Sequence, residues 1–287
     1  MPRKMPSMVL EGQRWFYVTW GSPSKPAVLL LHGFTGSHAS FDAVPATLQD
    51  QYFLIAPDLP GHGQTPAPTD ANELAMAVTA DRLSQLLRRL AVSQAIVWGY
   101  SMGGRLALHL AIQHPQLVTK LVLESASPGL RQEDERRQRR MRDNALADAI
   151  ERQGIAWFVP YWANQPLFRT EPPALKEKTN RIREQQSPFG LAQSLRGAGT
   201  GAQESLWESL TTLPMPVLLI TGARDSKFES IAQEMAQLIP RVQWVSVDEA
   251  GHTVHDENPT RFWAAVHPFL TDAMDAPQTK GGTPHGI

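Results

Sequence analysis

The chain of 287 residues contains no cysteine. Disulfide frameworks, thiolate nucleophiles and cysteine-based metal sites are therefore excluded. An excess of charge of one sign is also missing, since 27 Lys and Arg stand against 28 Asp and Glu. No global field draws the chain to nucleic acid, an anionic membrane or another polyanion. No apolar run approaches the roughly 18 residues of a membrane span. The opening Met-Pro-Arg-Lys-Met-Pro-Ser has charge but no apolar stretch behind it, unlike a secretory signal. These absences lead us to expect a cytoplasmic protein with no membrane insertion and no nucleic-acid partner. Any acidic ligand must be recognised by a local cluster of bases.

What is present is an ordinary globular composition, 42% hydrophobic and 19% charged, on a chain long enough to bury a sizeable core. Short apolar runs alternate with helical patterns, the signature of a mostly parallel sheet flanked by helices. Ala27–Leu31, Phe53–Pro57, 95–99, 121–125, Val217–Gly222 and Val242–Val247 read as strands. Gln13–Trp20 alternates like a half-exposed edge strand. Helical periodicity marks 74–90, where Leu83, Leu86, Leu87 and Leu90 share a stripe, and also 102–114 and 261–270. The rhythm breaks between Pro128 and Pro214. A charge-dense helical segment over 131–150 is followed there by an aromatic patch at Trp157, Tyr161, Trp162 and Phe168. We expect a core over 8–128 and 214–272, a helical cap over 129–213, and a disordered tail over 273–287.

The strongest motif is Gly99-Tyr100-Ser101-Met102-Gly103, a G-x-S-x-G sequence between an apolar strand and a helix. Such a serine sits on a strained turn, and side chains at the glycine positions would collide with the neighbouring strand and helix. The turn points the hydroxyl out at the carboxyl end of the sheet, at a helix start that favours developing negative charge. A serine hydroxyl reacts only when a neighbouring base takes its proton. In this topology the partners follow in the order acid, then histidine. Asp225, just past Val217–Gly222, and His252, just past Val242–Val247, fit those positions. The rival carboxylate is Glu124, expected to face a helix or the rim. The rival histidine is His255, expected on a loop that could line the pocket. The backbone N–H groups of Phe34 and Met102 are the expected oxyanion hole, with His32 ordering the loop of the former.

Arg105 lies one helical turn beyond Ser101, on the same face. A cation near a helix amino end opposes the dipole, which a waiting anionic ligand would explain. The alternatives are an arginine that snorkels to the surface or pairs with a loop carboxylate. The glycine-rich stretch at 196–201 neither follows a strand nor carries the Lys-Ser/Thr ending of a phosphate loop. We read it as a cap hinge or turn. No ligand cluster implies a metal or organic cofactor.

From Ala27 to Leu270 the chain resembles the α/β-hydrolase superfamily, through Leu-Leu-Leu-His-Gly-Phe (29–34), Asp58-Leu59-Pro60-Gly61-His62-Gly63 and the serine turn. More local matches are similar to one family within it, the 2-succinyl-6-hydroxy-2,4-cyclohexadiene-1-carboxylate synthases of menaquinone and phylloquinone biosynthesis. They are the serine turn extended to Gly104-Arg105, Ser127-Pro128-Gly129-Leu130 before an arginine-rich helix, and Trp162 with Gln165-Pro166-Leu167-Phe168. The runs Gly222-Ala223-Arg224-Asp225-Ser226-Lys227-Phe228 and Gly251-His252-Thr253-Val254-His255-Asp256-Glu257-Asn258-Pro259 complete the set. The resemblance implies a lyase acting on a small tricarboxylate. Its serine would serve as base to remove a proton beside the succinyl ketone as pyruvate is expelled. The resemblance also implies substrate contacts at Arg139, Trp162 and Tyr100, with Arg105 and Lys227 alongside. Arginine suits such contacts because its fork binds carboxylates bidentately and keeps its charge. The competing reading is a serine hydrolase of esters, thioesters or C–C bonds using the same triad. A non-catalytic binding protein is disfavoured by the intact triad, and an aspartate-nucleophile dehalogenase or epoxide hydrolase by the serine at the turn.

Overall fold

The continuous apolar runs become the centre of the sheet. Every residue of β3 (Ala27–Leu31) and β4 (Phe53–Pro57) is buried, as strands covered by helices on both faces must be. The computed structural model describes residues 6–271; the tail expected at 273–287 lies outside the described residues. Around β3 and β4, in chain order, stand β1 (Ser7–Leu10), β2 (Gln13–Trp20), α1 (Pro45–Leu48), α2 (Met76–Arg89), β5 (Ala95–Tyr100), α3 (Met102–Gln113) and β6 (Val118–Glu124). After β6 come only helices, α4 (Glu133–Gln153), α5 (Ile155–Ala163), α6 (Pro173–Glu184) and α7 (Pro188–Ala198), with short 3-10 turns between them. The sheet resumes with β7 (Val217–Gly222), α8 (Ser226–Leu238), β8 (Val242–Val247), α9 (Val254–Glu257) and α10 (Pro259–Thr271).

The strand order is β1-β2-β4-β3-β5-β6-β7-β8. β1 and β2 run antiparallel, and every pairing from β3 to β8 is parallel. This corrects one expectation. Gln13–Trp20 is not an edge strand, because β1 pairs outside it. The hairpin turns at Glu11-Gly12, both at positive φ (47° and 83°), as a two-residue turn between twisted strands demands. β1 has only four residues, of which Leu10 alone is buried, so it leaves almost no periodicity to read.

Two apolar clusters lie on opposite faces of the sheet. One joins it to α2, α3 and α8, the other to α10. A third and smaller cluster holds the helices after β6 together: Ala147, Ile150, Phe158, Leu191, Ala192 and Leu195. Phe34, from the loop after β3, packs against this cluster as well as the first. The glycine-rich stretch is a packed turn. A Cβ on Gly201 would strike the backbone of Arg140, whose guanidinium in turn donates to the Gly201 carbonyl at 3.1 and 3.2 Å.

Candidate active site

Ser101 sits where β5 passes into α3, at φ 53° and ψ −108°. A non-glycine residue there stores backbone strain, and its surroundings enforce it. A Cβ on Gly99 would run into the Gly103 backbone, and one on Gly103 into the Leu31 carbonyl. The Ser101 N–H donates to the Glu124 carbonyl at 2.9 Å, fixing the turn to the end of β6. Asp225 caps α8, its Oδ1 accepting the Phe228 N–H at 3.4 Å. His252 follows β8 and is 1% exposed.

Ser101 thus meets two residues that follow it by more than a hundred positions. His252 Nδ1 lies 2.7 Å from Asp225 Oδ2, and His252 Nε2 lies 2.9 Å from Ser101 Oγ. A carboxylate can only accept from Nδ1–H, which leaves Nε2 free to accept the serine proton. Phe228, its ring 4.6 Å from the imidazole, and Phe168 at 6.2 Å shield this pair from water. Among the described residues the N–H groups of Phe34 and Met102 have no protein acceptor. Both residues border the same cavity as Ser101, as donors for a developing oxyanion must. The loop bearing Phe34 is set by His32, whose Nδ1 donates to the Gly33 carbonyl (2.8 Å) and whose Nε2 accepts the Leu59 N–H (3.0 Å). Burial lowers the His32 pKa to about 4, consistent with this neutral arrangement.

The cavity above Ser101 has a volume of about 430 Å³. Arg105, Arg131, Arg139 and Lys227 contribute cations to its lining and Glu135 the carboxylate. Arg105 follows neither structural alternative: it is 8% exposed, so it does not snorkel. Its Nη1 donates to two neutral acceptors, the Ala198 carbonyl (2.9 Å) and Gln203 Oε1 (2.8 Å), and among the described residues it forms no salt bridge, although the Asp143 carboxylate bound to Arg139 lies close enough to favour its charge. Burial first, and then the charge of Arg139, depress its pKa to about 9. Arg139 is tied to Asp143 at 2.8 Å yet remains 37% exposed at its side chain. Lys227 is also shifted down, by burial and then by Arg139. Among the other arginines of α4, Arg136 and Arg137 pair with Glu133 and Asp134 as expected for a solvated helix. Arg131, just before α4, instead stacks on Trp207, 3.6 Å from the ring centroid, and reaches Glu234 on α8.

A second hollow of about 70 Å³ opens on the other side of Ser101 and Trp162. Trp162 borders both hollows, and its buried indole N–H has no hydrogen-bond partner among the described residues. Tyr100 belongs to the second hollow alone. Its hydroxyl lies 2.9 Å from Thr253 Oγ1, which donates to Glu171 at 3.1 Å. A substrate group would have to compete with that bond. Arg183, 3% exposed and with an Nε that has no partner among the described residues, lines the same hollow. Sequence reasoning missed it, because one arginine in a basic amphipathic helix carries no mark of burial.

The two rivals to the triad pair with each other. Glu124 is fully buried, not at a rim, and His255 lies on α9, 8% exposed, not on a loop. Glu124 accepts from His255 Nδ1 at 2.7 Å and from Trp98 Nε1 at 3.1 Å. Burial works against charge on His255, but the Glu124 carboxylate outweighs it and raises the pKa.

A parallel sheet of this order, with serine on a strained strand-to-helix turn, defines the α/β-hydrolase fold, and the family model of the alpha/beta hydrolase fold matches residues 26–259. Over 266 residues the chain is 42% identical to a Bacillus subtilis (strain 168) protein named as a candidate 2-succinyl-6-hydroxy-2,4-cyclohexadiene-1-carboxylate synthase, covering 92% of this chain and 97% of that one. It is 33% identical to the Salmonella agona (strain SL483) protein named as that synthase, covering 83% and 91%. The solved structure of MenH from S. aureus superposes with a TM-score of 0.84 at 32% identity, covering 88% of this chain and 97% of that one. The chain belongs to the α/β-hydrolase family and, within it, to the 2-succinyl-6-hydroxy-2,4-cyclohexadiene-1-carboxylate synthases.

Proposed function

We propose that the protein eliminates pyruvate from 2-succinyl-5-enolpyruvyl-6-hydroxy-3-cyclohexene-1-carboxylate to give 2-succinyl-6-hydroxy-2,4-cyclohexadiene-1-carboxylate, with Ser101, His252 and Asp225 as its proton-abstracting triad. The observation that carries this reading is Arg105. A guanidinium buried on the wall above the serine and hydrogen-bonded, among the described residues, only to neutral acceptors is desolvated and lacks a contacting counterion, the nearby Asp143 being bound to Arg139. An anionic substrate supplies that counterion. Arg139 and Lys227 extend the basic wall, which suits a ligand with several carboxylates and serves a neutral ester poorly.

In this mechanism Ser101 Oγ removes the proton beside the succinyl ketone as its own proton passes to His252 Nε2. The electrons move onto the ketone oxygen, held by the Phe34 and Met102 N–H groups. They then return through the ring double bond and expel the enolpyruvyl oxygen. The leaving enolpyruvate takes up a proton and becomes pyruvate. Asp225 holds the imidazole tautomer and stabilises its charged form. Residues 129–213 act as a cap that excludes water from this step, over a core of 8–128 and 214–272. Trp162 offers its free indole N–H to the substrate, and Tyr100 acts from the side of the second hollow. A small anionic substrate and a cytoplasmic setting complete the reading.

The test supplies the enolpyruvyl compound and follows pyruvate together with the ultraviolet absorbance of the diene. Arg105→Ala should lose turnover of the tricarboxylate by about 100-fold or more while sparing hydrolysis of a small neutral ester. Brisk ester hydrolysis with no pyruvate release would favour a serine hydrolase instead, for which the 2.9 Å serine–histidine contact is equally fit.

A further inference from the structure

Two carboxylates outside the triad hold the loop that carries His252. Glu257, the last residue of α9, folds back over the turn before it. Its Oε2 accepts the Gly251 N–H at 2.9 Å and its Oε1 accepts the Thr253 N–H at 3.0 Å. The residue between those two amides is His252. The clamp is tight, because a Cβ on Gly251 would lie 3.1 Å from both carboxylate oxygens. Two outward N–H donors need two acceptor oxygens on one side chain. A carboxylate provides them, whereas an amide would turn its NH₂ towards one of the donors.

Glu124 works from the opposite side. Its carbonyl accepts the Ser101 N–H at 2.9 Å. Its carboxylate accepts the His255 N–H at 3.0 Å and His255 Nδ1–H at 2.7 Å. One residue thereby joins the nucleophile turn to the histidine loop. We infer that Glu257 and Glu124 are positioning residues: Glu257 sets the backbone of His252, and Glu124 sets the distance of that loop from Ser101. Neither lines the cavity above Ser101, so neither touches substrate there. Both act through the placement of the imidazole, on which a displacement of about 1 Å costs on the order of 100-fold in rate. This role rests on the reading of Ser101 and His252 as the reacting pair.

The test is Glu257→Gln in the full chain, with two rate measurements. One is turnover of the enolpyruvyl compound. The other is phosphorylation of Ser101 by an uncharged organophosphate, with its leaving group expelled, followed by mass spectrometry, which reads the serine–imidazole contact whatever the natural reaction is. The variant should lose kcat and labelling rate in parallel, on the order of 10- to 100-fold, with KM within about twofold. The downfield proton resonance of His252 Nδ1–H should shift or broaden. Glu257→Asp, which keeps the charge but is too short to span both amides, should show the same split if the glutamine variant fails to fold. Glu124→Gln, which keeps one oxygen for His255, should show a smaller loss. A lowered Tm with kcat, labelling rate and proton resonance all unchanged would overturn the inference. Wild-type labelling without pyruvate release would sink the proposed reaction and leave the positioning role standing.

Discussion

The loops at the carboxyl ends of the strands and the helical segment between β6 and β7 build one cavity by different physics. The loops stand on a sheet whose central strands β3 and β4 are wholly buried and paired on both sides. Ser101, Asp225 and His252 inherit that rigidity through short connections. The helical segment has six buried apolar residues in a cluster of its own and meets the core through Phe34, through Ala198, Leu206 and Trp207, which belong to the sheet's cluster, and through scattered polar contacts. These include Lys178 with Asp256 at 2.8 Å and the Gly63 N–H with Gln186 at 2.9 Å. A small apolar cluster opens locally at lower free energy than a sheet core. The proposed triad therefore stands on the stable part, and Arg139, Trp162 and Arg183 on the part that can give.

The largest effect that would sharpen this contrast belongs to the loops. His252→Ala should lower kcat by roughly 10⁴-fold and leave Tm and substrate affinity nearly unchanged. A loss of the same size in affinity would mean that the loop also builds the binding wall. Next comes the helical segment. Phe158, fully buried in its small cluster, should cost about 3 kcal/mol or more there when cut to alanine. Amide exchange in α4 and α7 should then accelerate by about 100-fold while β3 and β5 keep their protection. Uniform acceleration would show that the two regions unfold as one.

A smaller effect is expected at their junction. Trp162→Phe removes an indole N–H that has no protein partner. KM for the tricarboxylate should rise several-fold with Tm unchanged or slightly higher, since a buried unsatisfied donor has been removed. Unchanged KM would return Trp162 to packing. The smallest effect concerns acid. His32, His62 and His109 are shifted down by burial, to about 4, about 3 and about 4. Between pH 6.5 and about 4 the unfolded chain takes up protons that these folded histidines refuse, so stability falls as pH falls. The raised His255 works in the opposite direction. Thermal scans from pH 7 to pH 5 should show a falling Tm, and His109→Leu should recover roughly 5 °C of the drop. A flat profile would contradict the neutral burial of these rings.

Legibility followed the same division. The serine turn was readable because its motif is contiguous: the glycine at 99 is demanded by backbone contacts within one strand–turn–helix unit, and the glycine at 103 by the carbonyl of Leu31 on the neighbouring strand. Asp225 and His252 were readable by chain order, since each ends a strand that is an unbroken or alternating apolar run. Arg105 was readable only as an open question. Its answer lies in Ala198 and Gln203, more than ninety residues away in sequence. Tyr100 was read as a pocket residue, but the Thr253 that engages its hydroxyl, and the Glu171 that accepts from Thr253, left no trace in spacing.

By itself, then, the sequence determined the alternation of strand and helix, the strained serine and the order of its partners, because periodicity and backbone sterics act over a few residues. Only the tertiary structure decided which charges lose their water. It put Glu124 against His255, closed Glu257 over the amides beside His252, and left Arg105 buried among carbonyl oxygens. Burial and pairing depend on what arrives from distant parts of the chain, and no local pattern of residue types encodes that meeting.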